Sequence, residues 1–224
     1  MNLDLVKFHR MIMNWRKLIL KIHGREQTRV PMYFQLTLES YESFEDSMKR
    51  AAEYTISCKM KGRKADKNLW CNFIEKATRE YLVQHLFAAM CLEAFIYDYA
   101  ASNFSDTYVK KYLDRLDLVA KWVVIPKLIL GEEFPRSSMA FGYIRSIKNE
   151  RDKLAHSKSR PQLTDEEREQ EIARYILKPS TTKNKDTDLP VNIFRQLVEI
   201  LTTLKKMEEQ FEKTQDWWEV VELA

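Results

Sequence analysis

Apolar residues recur every three or four positions along most of this chain, and the stripes they draw predict a run of helices. Leu5, Phe8, Ile12, Trp15, Ile19 and Ile22 step by 3, 4, 3, 4 and 3, a narrow seam that ends near Gly24. Lys7, Arg10, Arg16, Lys17 and Lys21 lie off that seam. A basic amphipathic helix of this kind can lie on a membrane or bind a partner; docking on its own domain or on a second copy is the expectation here. Met32, Phe34, Leu36 and Leu38 then alternate with Tyr33, Gln35 and Thr37. That is a period-2 pattern, but no second strand exists to pair with it, so an extended connector is expected. A helix after Ser40 would carry Phe44, Met48, Ala51 and Ile56 on one face. It runs into Lys59, Lys61, Gly62, Arg63, Lys64 and Lys67. These cations read as a solvated helix end and loop, with a phosphate grip as the alternative.

From Leu69 to about Ala101 neither Gly nor Pro occurs, and residues 81–96 are apolar nearly all round. Such a helix is enclosed by its neighbours, which makes it the central one. Ser105 and Asp106 can cap a further helix with Val109, Tyr112, Leu113, Leu116, Val119, Ala120 and Val123 on its core side. Pro126 should bend its last turns and Gly131 stop it. Ser137 or Ser138 caps the next, in which Phe141, Ile144, Ile147, Arg151 and Leu154 follow at helical spacing. Pro161 forces its end, because the residue before a proline leaves the α region. Thr164 to Glu167 forms a capping box that opens a helix ending before Pro179, and 178–190 reads as a polar loop. Ile193, Leu197, Ile200 or Leu201, Leu204, Met207 and Phe211 mark a last helix, followed by a tail with Trp217 and Trp218.

Composition agrees with that reading. Among 224 residues there are only 4 Gly and 6 Pro, which argues against an all-β domain built on tight turns. The expected fold is an all-α helical bundle at 66–224, with an N-terminal helical extension at 1–65 packed on the same domain. A formal charge of +4 permits an acidic partner without requiring one. The three cysteines, Cys58, Cys71 and Cys91, form no Cys-x-x-Cys pair and are expected to be buried and reduced. Charges interrupt the N-terminus, and no run approaches the eighteen or so apolar residues of a membrane span. A soluble, cytoplasmic protein with no membrane partner is therefore expected.

Several chemistries find no residues to carry them. There is no Gly-rich phosphate loop, no His-Glu-x-x-His and no Gly-x-Ser-x-Gly. His9, His23, His85 and His156 show no metal-ligand spacing with each other or with cysteine, so neither a metal nor a cofactor is expected. One constellation remains: Asn149, Glu150, Arg151, Asp152, Lys153, Leu154, Ala155 and His156, closing a helix just before Ser157 to Pro161. On an ideal helix Arg151 and His156 are separated by about 140° and roughly 7.5 Å of rise. They converge if the last turn frays or if a second chain completes the site.

Arg151, Asp152 and His156 match, position by position, the Arg-polar-x3-His signature of the HEPN superfamily, and the chain resembles that family over roughly residues 69–213. The stretch Leu92-Glu93-Ala94-Phe95-Ile96 is similar to one many relatives carry upstream. Tyr97 stands where those relatives often have Asn, so no polar role transfers to it. The first 65 residues lie outside the resemblance. It implies a helical bundle acting as a metal-independent endoribonuclease on single-stranded RNA, active as a homodimer whose two motifs face one cleft. It also implies service as a toxin with an antitoxin, or in defence with a partner protein; other relatives are non-catalytic scaffolds. Catalysis would rest on Arg151 and His156, with Asp152 supporting and Glu93 as a further candidate. Lys148, Lys153, Lys158 and Arg160 would bind RNA.

The chemistry of these side chains is compatible with such a role. When a 2′-hydroxyl attacks its neighbouring phosphate, a group that moves protons near neutral pH is needed, and histidine does this best. The phosphorane gains negative charge, which the planar fork of arginine can hold. Asp152 could orient one of these side chains or hold the helix end. Alternatively, Arg151 pairs with a helix carboxylate while His156 caps a C-terminus, and the motif serves only dimer packing. Glu93, on a mostly apolar helix, needs a partner, for which Arg151 is a candidate, or else an exposed strip. A third reading is a basic surface binder of RNA or membrane, using the N-terminal helix and Lys59 to Lys67.

Overall fold

The computed structural model describes residues 28–64, 66–155 and 193–222, the last helix beyond 211 as backbone only. The expected N-terminal helix, the helix at 164–178, the loop at 178–190, His156, Lys158, Arg160 and the side chains of Trp217 and Trp218 lie outside the described residues. Within them the fold is an all-α bundle. Its helices are α1 (Val30–Met60), α2 (Lys67–Asn103), α3 (Asp106–Tyr108), α4 (Leu118–Leu130), α5 (Met139–Ala155) and α6 (Ile193–Glu222), with a π-helical turn at Val109–Leu113.

α1 begins eleven residues earlier than expected, and the extended connector does not exist. Pro31 occupies its first turn, where a missing N–H costs nothing. Val30, Phe34, Thr37, Leu38 and Phe44 are buried, whereas Met32 is exposed. The alternation of Met32, Phe34, Leu36 and Leu38 satisfied period 2 only because Phe34 and Leu38 are also four apart. Ile56, expected on the inner face, is exposed. The Asp66 carboxylate accepts the backbone N–H groups of Asn68 (2.8 Å) and Leu69 (3.3 Å), which starts α2. Ring pairs Tyr54–Phe73, Tyr33–Phe87 and Phe44–Tyr81 show one number falling as the other rises. α1 and α2 are thus an antiparallel hairpin, and Val30, Phe34 and Leu38 of α1 share one core with α2.

α2 touches every longer helix. Its inner residues Cys91, Leu92, Phe95, Ile96 and Tyr99 form the centre of the core with Trp122 and Ile125 of α4, Ile144 and Ile147 of α5, and Phe194, Leu197 and Leu204 of α6. α2 is not enclosed all round, however: Leu82, Leu86 and Met90, four residues apart, are exposed. Trp122 is wholly buried, stacked on Phe95 (5.9 Å) and edge-on to Phe134 (5.5 Å). Cys91 is buried, and burial pushes its thiol up to about 12, so it stays protonated and inert. Cys58 and Cys71 are only half-buried, against expectation; they sit beside the turn that joins α1 to α2, away from the centre of the core.

The segment expected to be one helix from Ser105 to Leu130 is broken. Ser105 does cap α3, its hydroxyl accepting the Tyr108 N–H at 3.2 Å. The Asp114 N–H then reaches back five residues to the Val109 carbonyl (2.9 Å), which widens the helix into a π turn. Asp117 caps α4 by accepting the Ala120 N–H at 2.8 Å. Gly131 ends it at φ +73°, a left-handed conformation that glycine adopts without a Cβ clash. Pro126 is accommodated inside α4. Among the described residues no helix is long and apolar enough to cross a membrane.

Candidate functional site

The Ser138 hydroxyl accepts the Phe141 N–H at 3.2 Å and so sets the start of α5. Ala140, Phe141, Ile144 and Ile147 bury one face of that helix, which fixes the phase of its last turns. Arg151 and Asp152 follow, both about one-third exposed. The guanidinium donates from Nε (3.0 Å) and Nη2 (2.8 Å) to one oxygen of Asp152, Oδ1. The other oxygen, Oδ2, pairs with Lys148 Nζ at 2.8 Å, one turn earlier. Lys148, then Arg151, hold the Asp152 carboxyl below the usual carboxylate range, so it is an anion throughout the physiological range. Two of the five N–H donors of Arg151 are used by Asp152, leaving three for another acceptor. Beside this pair, Lys153 Nζ meets Glu150 Oε1 at 2.5 Å. An open groove of about 730 Å³ runs along the same helix, lined by Gly142, Arg145, Ser146, Asn149, Glu150, Asp152 and Lys153.

Glu150 links this groove to α2. Its Oε2 accepts from the Tyr81 hydroxyl at 3.4 Å, and the Tyr81 ring lies 4.1 Å from that of His85. His85 Nδ1 is 2.8 Å from the Tyr81 carbonyl. A carbonyl only accepts, so Nδ1 carries the proton and Nε2 keeps a lone pair. Burial lowers the affinity of His85 for a second proton, against the Tyr81 carbonyl and the Glu150 charge, which raise it. The folded state therefore favours neutral His85 and the unfolded state binds the proton more readily. Stability from this group is complete above its ordinary value of about 6.5 and is lost as pH falls below it. In chemical denaturation followed from pH 8 to pH 5, His85→Gln is expected to flatten that part of the profile. An unchanged profile would refute the assignment.

Glu93 is placed elsewhere. Its carboxylate pairs with Lys121 of α4, in contact with Oε1, and not with Arg151. The same ammonium reaches Asp114 Oδ1 at 3.3 Å. The Lys121 side chain is 5% exposed, whereas Glu93 and Asp114 are 36% and 53% exposed. The buried member of the trio is thus the lysine, and the effects of mutation should be unequal. Lys121→Met leaves two carboxylates that water can solvate and is expected to be nearly neutral. Glu93→Ala leaves a buried ammonium with Asp114 as its one carboxylate partner. It should cost about 2 kcal/mol, below the roughly 3–5 of a fully buried pair because Asp114 remains. Urea unfolding of the two variants checks the order, and equal losses would contradict it. These residues line a second, smaller cavity of about 350 Å³ with Thr28, Arg29, Tyr33 and Asp98.

The structure therefore brings Arg151, Asp152, Lys148 and Lys153 together on one helix end and sets Glu93 apart from them. It adds Tyr81 and His85, to which sequence reasoning assigned no role at this site, and ties Glu150 of the constellation to them. The available signal was the four-residue spacing of Tyr81 and His85, which puts both on one face of α2. Among the described residues no three His, Cys, Asp or Glu side chains are grouped as a metal ion requires. Comparison with protein-family models, with curated proteins and with solved structures finds no match for this chain.

Proposed function

We propose that the chain is a metal-independent endoribonuclease of HEPN type, acting in the cytoplasm as a homodimer on single-stranded RNA. Its service would be as a toxin or defence effector, held in check by or working with a partner protein. The observation that carries this reading is the Asp152 carboxylate clamping the Arg151 fork at the end of α5, with Lys148 and Lys153 flanking it. A fork fixed in this way, with three donors unspent, suits the three-oxygen face of a phosphorane. In the proposed step His156 takes the proton of the 2′-hydroxyl as that oxygen bonds to phosphorus. The bond from phosphorus to the 5′-oxygen breaks, and that oxygen leaves with a proton taken from water. Each chain supplies one Arg and one His of the signature, and a two-fold interface brings two such sets to one cleft.

The same ion pair supports a second reading, in which Arg151 merely holds the helix end and the motif serves dimer packing. One experiment separates them. Under the first reading, purified protein nicks single-stranded RNA in excess EDTA and leaves 2′,3′-cyclic phosphate ends. Under the second, wild type cleaves nothing and Arg151→Ala weakens self-association measured by light scattering.

A further inference from the structure

The π turn changes which rings face solvent. The helical pattern placed Tyr112 beside Val109 and Leu113 in the core, yet it is 55% exposed, while those two are 1% and 4% exposed. With a five-residue reach, each residue turns the helix by about 80° instead of about 100°. Val109 and Leu113 stay inward, and Tyr112 swings out into line with Tyr108. Phe104, at the end of α2, extends the row. The ring centroids are 5.2 Å apart from Phe104 to Tyr108 and 4.9 Å from Tyr108 to Tyr112, with exposures of 39%, 40% and 55%.

Charge around the row is sorted by sign. Asp106 accepts from the Tyr97 hydroxyl (3.2 Å), Asp114 from Lys121 (3.3 Å) and Asp117 from the Ala120 N–H (2.8 Å). The carboxylates are thus drawn into the protein's own contacts. Lys110, Lys111 and Arg115 have no carboxylate partner among the described residues, and Lys111 Nζ lies 4.9 Å above the Tyr112 ring. Contiguous exposed rings with unpaired cations form the arrangement by which proteins hold unstructured nucleic acid, since every base has a π face and every nucleotide a phosphate.

We propose that Phe104, Tyr108 and Tyr112, with Lys110, Lys111 and Arg115, form a stacking platform for single-stranded RNA. A base that takes the exposed Tyr112 face releases the Lys111 ammonium to the adjoining phosphate. The platform rests on the proposed ribonuclease activity for its choice of RNA, and on the rings alone for its mode of binding. It lies on the order of 35 Å along α2 from Tyr81, and hence from the Arg151 end of α5. A strand several nucleotides long would have to span the two, so it is an anchoring site remote from the chemistry.

The test is fluorescence anisotropy of the full chain with a labelled twenty-nucleotide oligouridylate, in wild type and in an Arg151→Ala background. Tyr108→Leu with Tyr112→Leu keeps apolar bulk but removes both flat faces, and should weaken binding by roughly tenfold or more. Tyr108→Phe with Tyr112→Phe should bind as wild type does, because stacking needs no hydroxyl. Retained affinity in the leucine variant, or equal affinity for duplex RNA of the same length, overturns the proposal. So does a leucine variant that loses only self-association in light scattering, which would make the rings a protein contact. Ring-dependent binding by a wild type that never cleaves leaves the platform standing and refutes the ribonuclease.

Discussion

His156→Ala is expected to slow RNA cleavage by about 10²–10⁴, the usual worth of a positioned proton-transfer group. Arg151→Lys should be severely impaired as well, since it keeps the charge but loses the fork that Asp152 orients. Asp152→Asn retains an acceptor oxygen but not the anion, so a loss of about tenfold is expected, smaller than that of either neighbour. Arg151 and Asp152 sit part-exposed at a helix end, so their unfolding free energies should move by about 1 kcal/mol or less. A pure positioning role for Asp152 predicts a fall in kcat with little change in KM. Rates of single-turnover cleavage in EDTA decide the matter. Undiminished cleavage by His156→Ala, with contaminating nuclease excluded, would remove the catalytic assignment.

The largest structural loss should come from Trp122→Ala. The ring is fully buried between Phe95 and Phe134, so truncation removes its transfer energy and leaves a cavity lined by rigid aromatics, about 3–5 kcal/mol together. For a domain held by roughly 5–15 kcal/mol this is most of a modest stability. Trp122→Phe should cost far less, near 1 kcal/mol. The indole Nε1 is buried with no partner among the described residues, so losing that donor offsets part of the lost volume. Urea unfolding measures both. A Phe variant as unstable as the Ala variant would mean that the indole N–H is bonded after all.

The helices were legible where one periodicity ruled. Phe141, Ile144 and Ile147 in α5, and Leu197, Leu204 and Met207 in α6, could fit only a 3.6-residue repeat, and all are buried. Residues 32–38 fitted two repeats at once, and the decisive signal, Pro31 at a helix start, was the quieter one. The break at 109–113 was not legible, because Tyr112 is as compatible with a core face as with a surface; only the Asp114-to-Val109 hydrogen bond chooses. Arg151 and Asp152 could be singled out from spacing and chemistry. The pairing of Asp152 with Lys148 needed only the one-turn rule. The partner of Glu93 could not be found in this way, since Lys121 is 28 residues distant and its burial depends on how α4 packs.

The α1–α2 hairpin also has a temporal meaning. Its two long helices meet across a turn of about six residues, so their pairing closes a short loop and draws mainly on neighbours already in hand. A chain emerging amino-terminus first can complete this pair before α5 exists. Phe141, Ile144 and Ile147 must then find a surface that is already waiting, and only their docking brings Glu150 to Tyr81 and fixes the end of α5 that carries Arg151. During synthesis the scaffold thus comes early and the clamped arginine late.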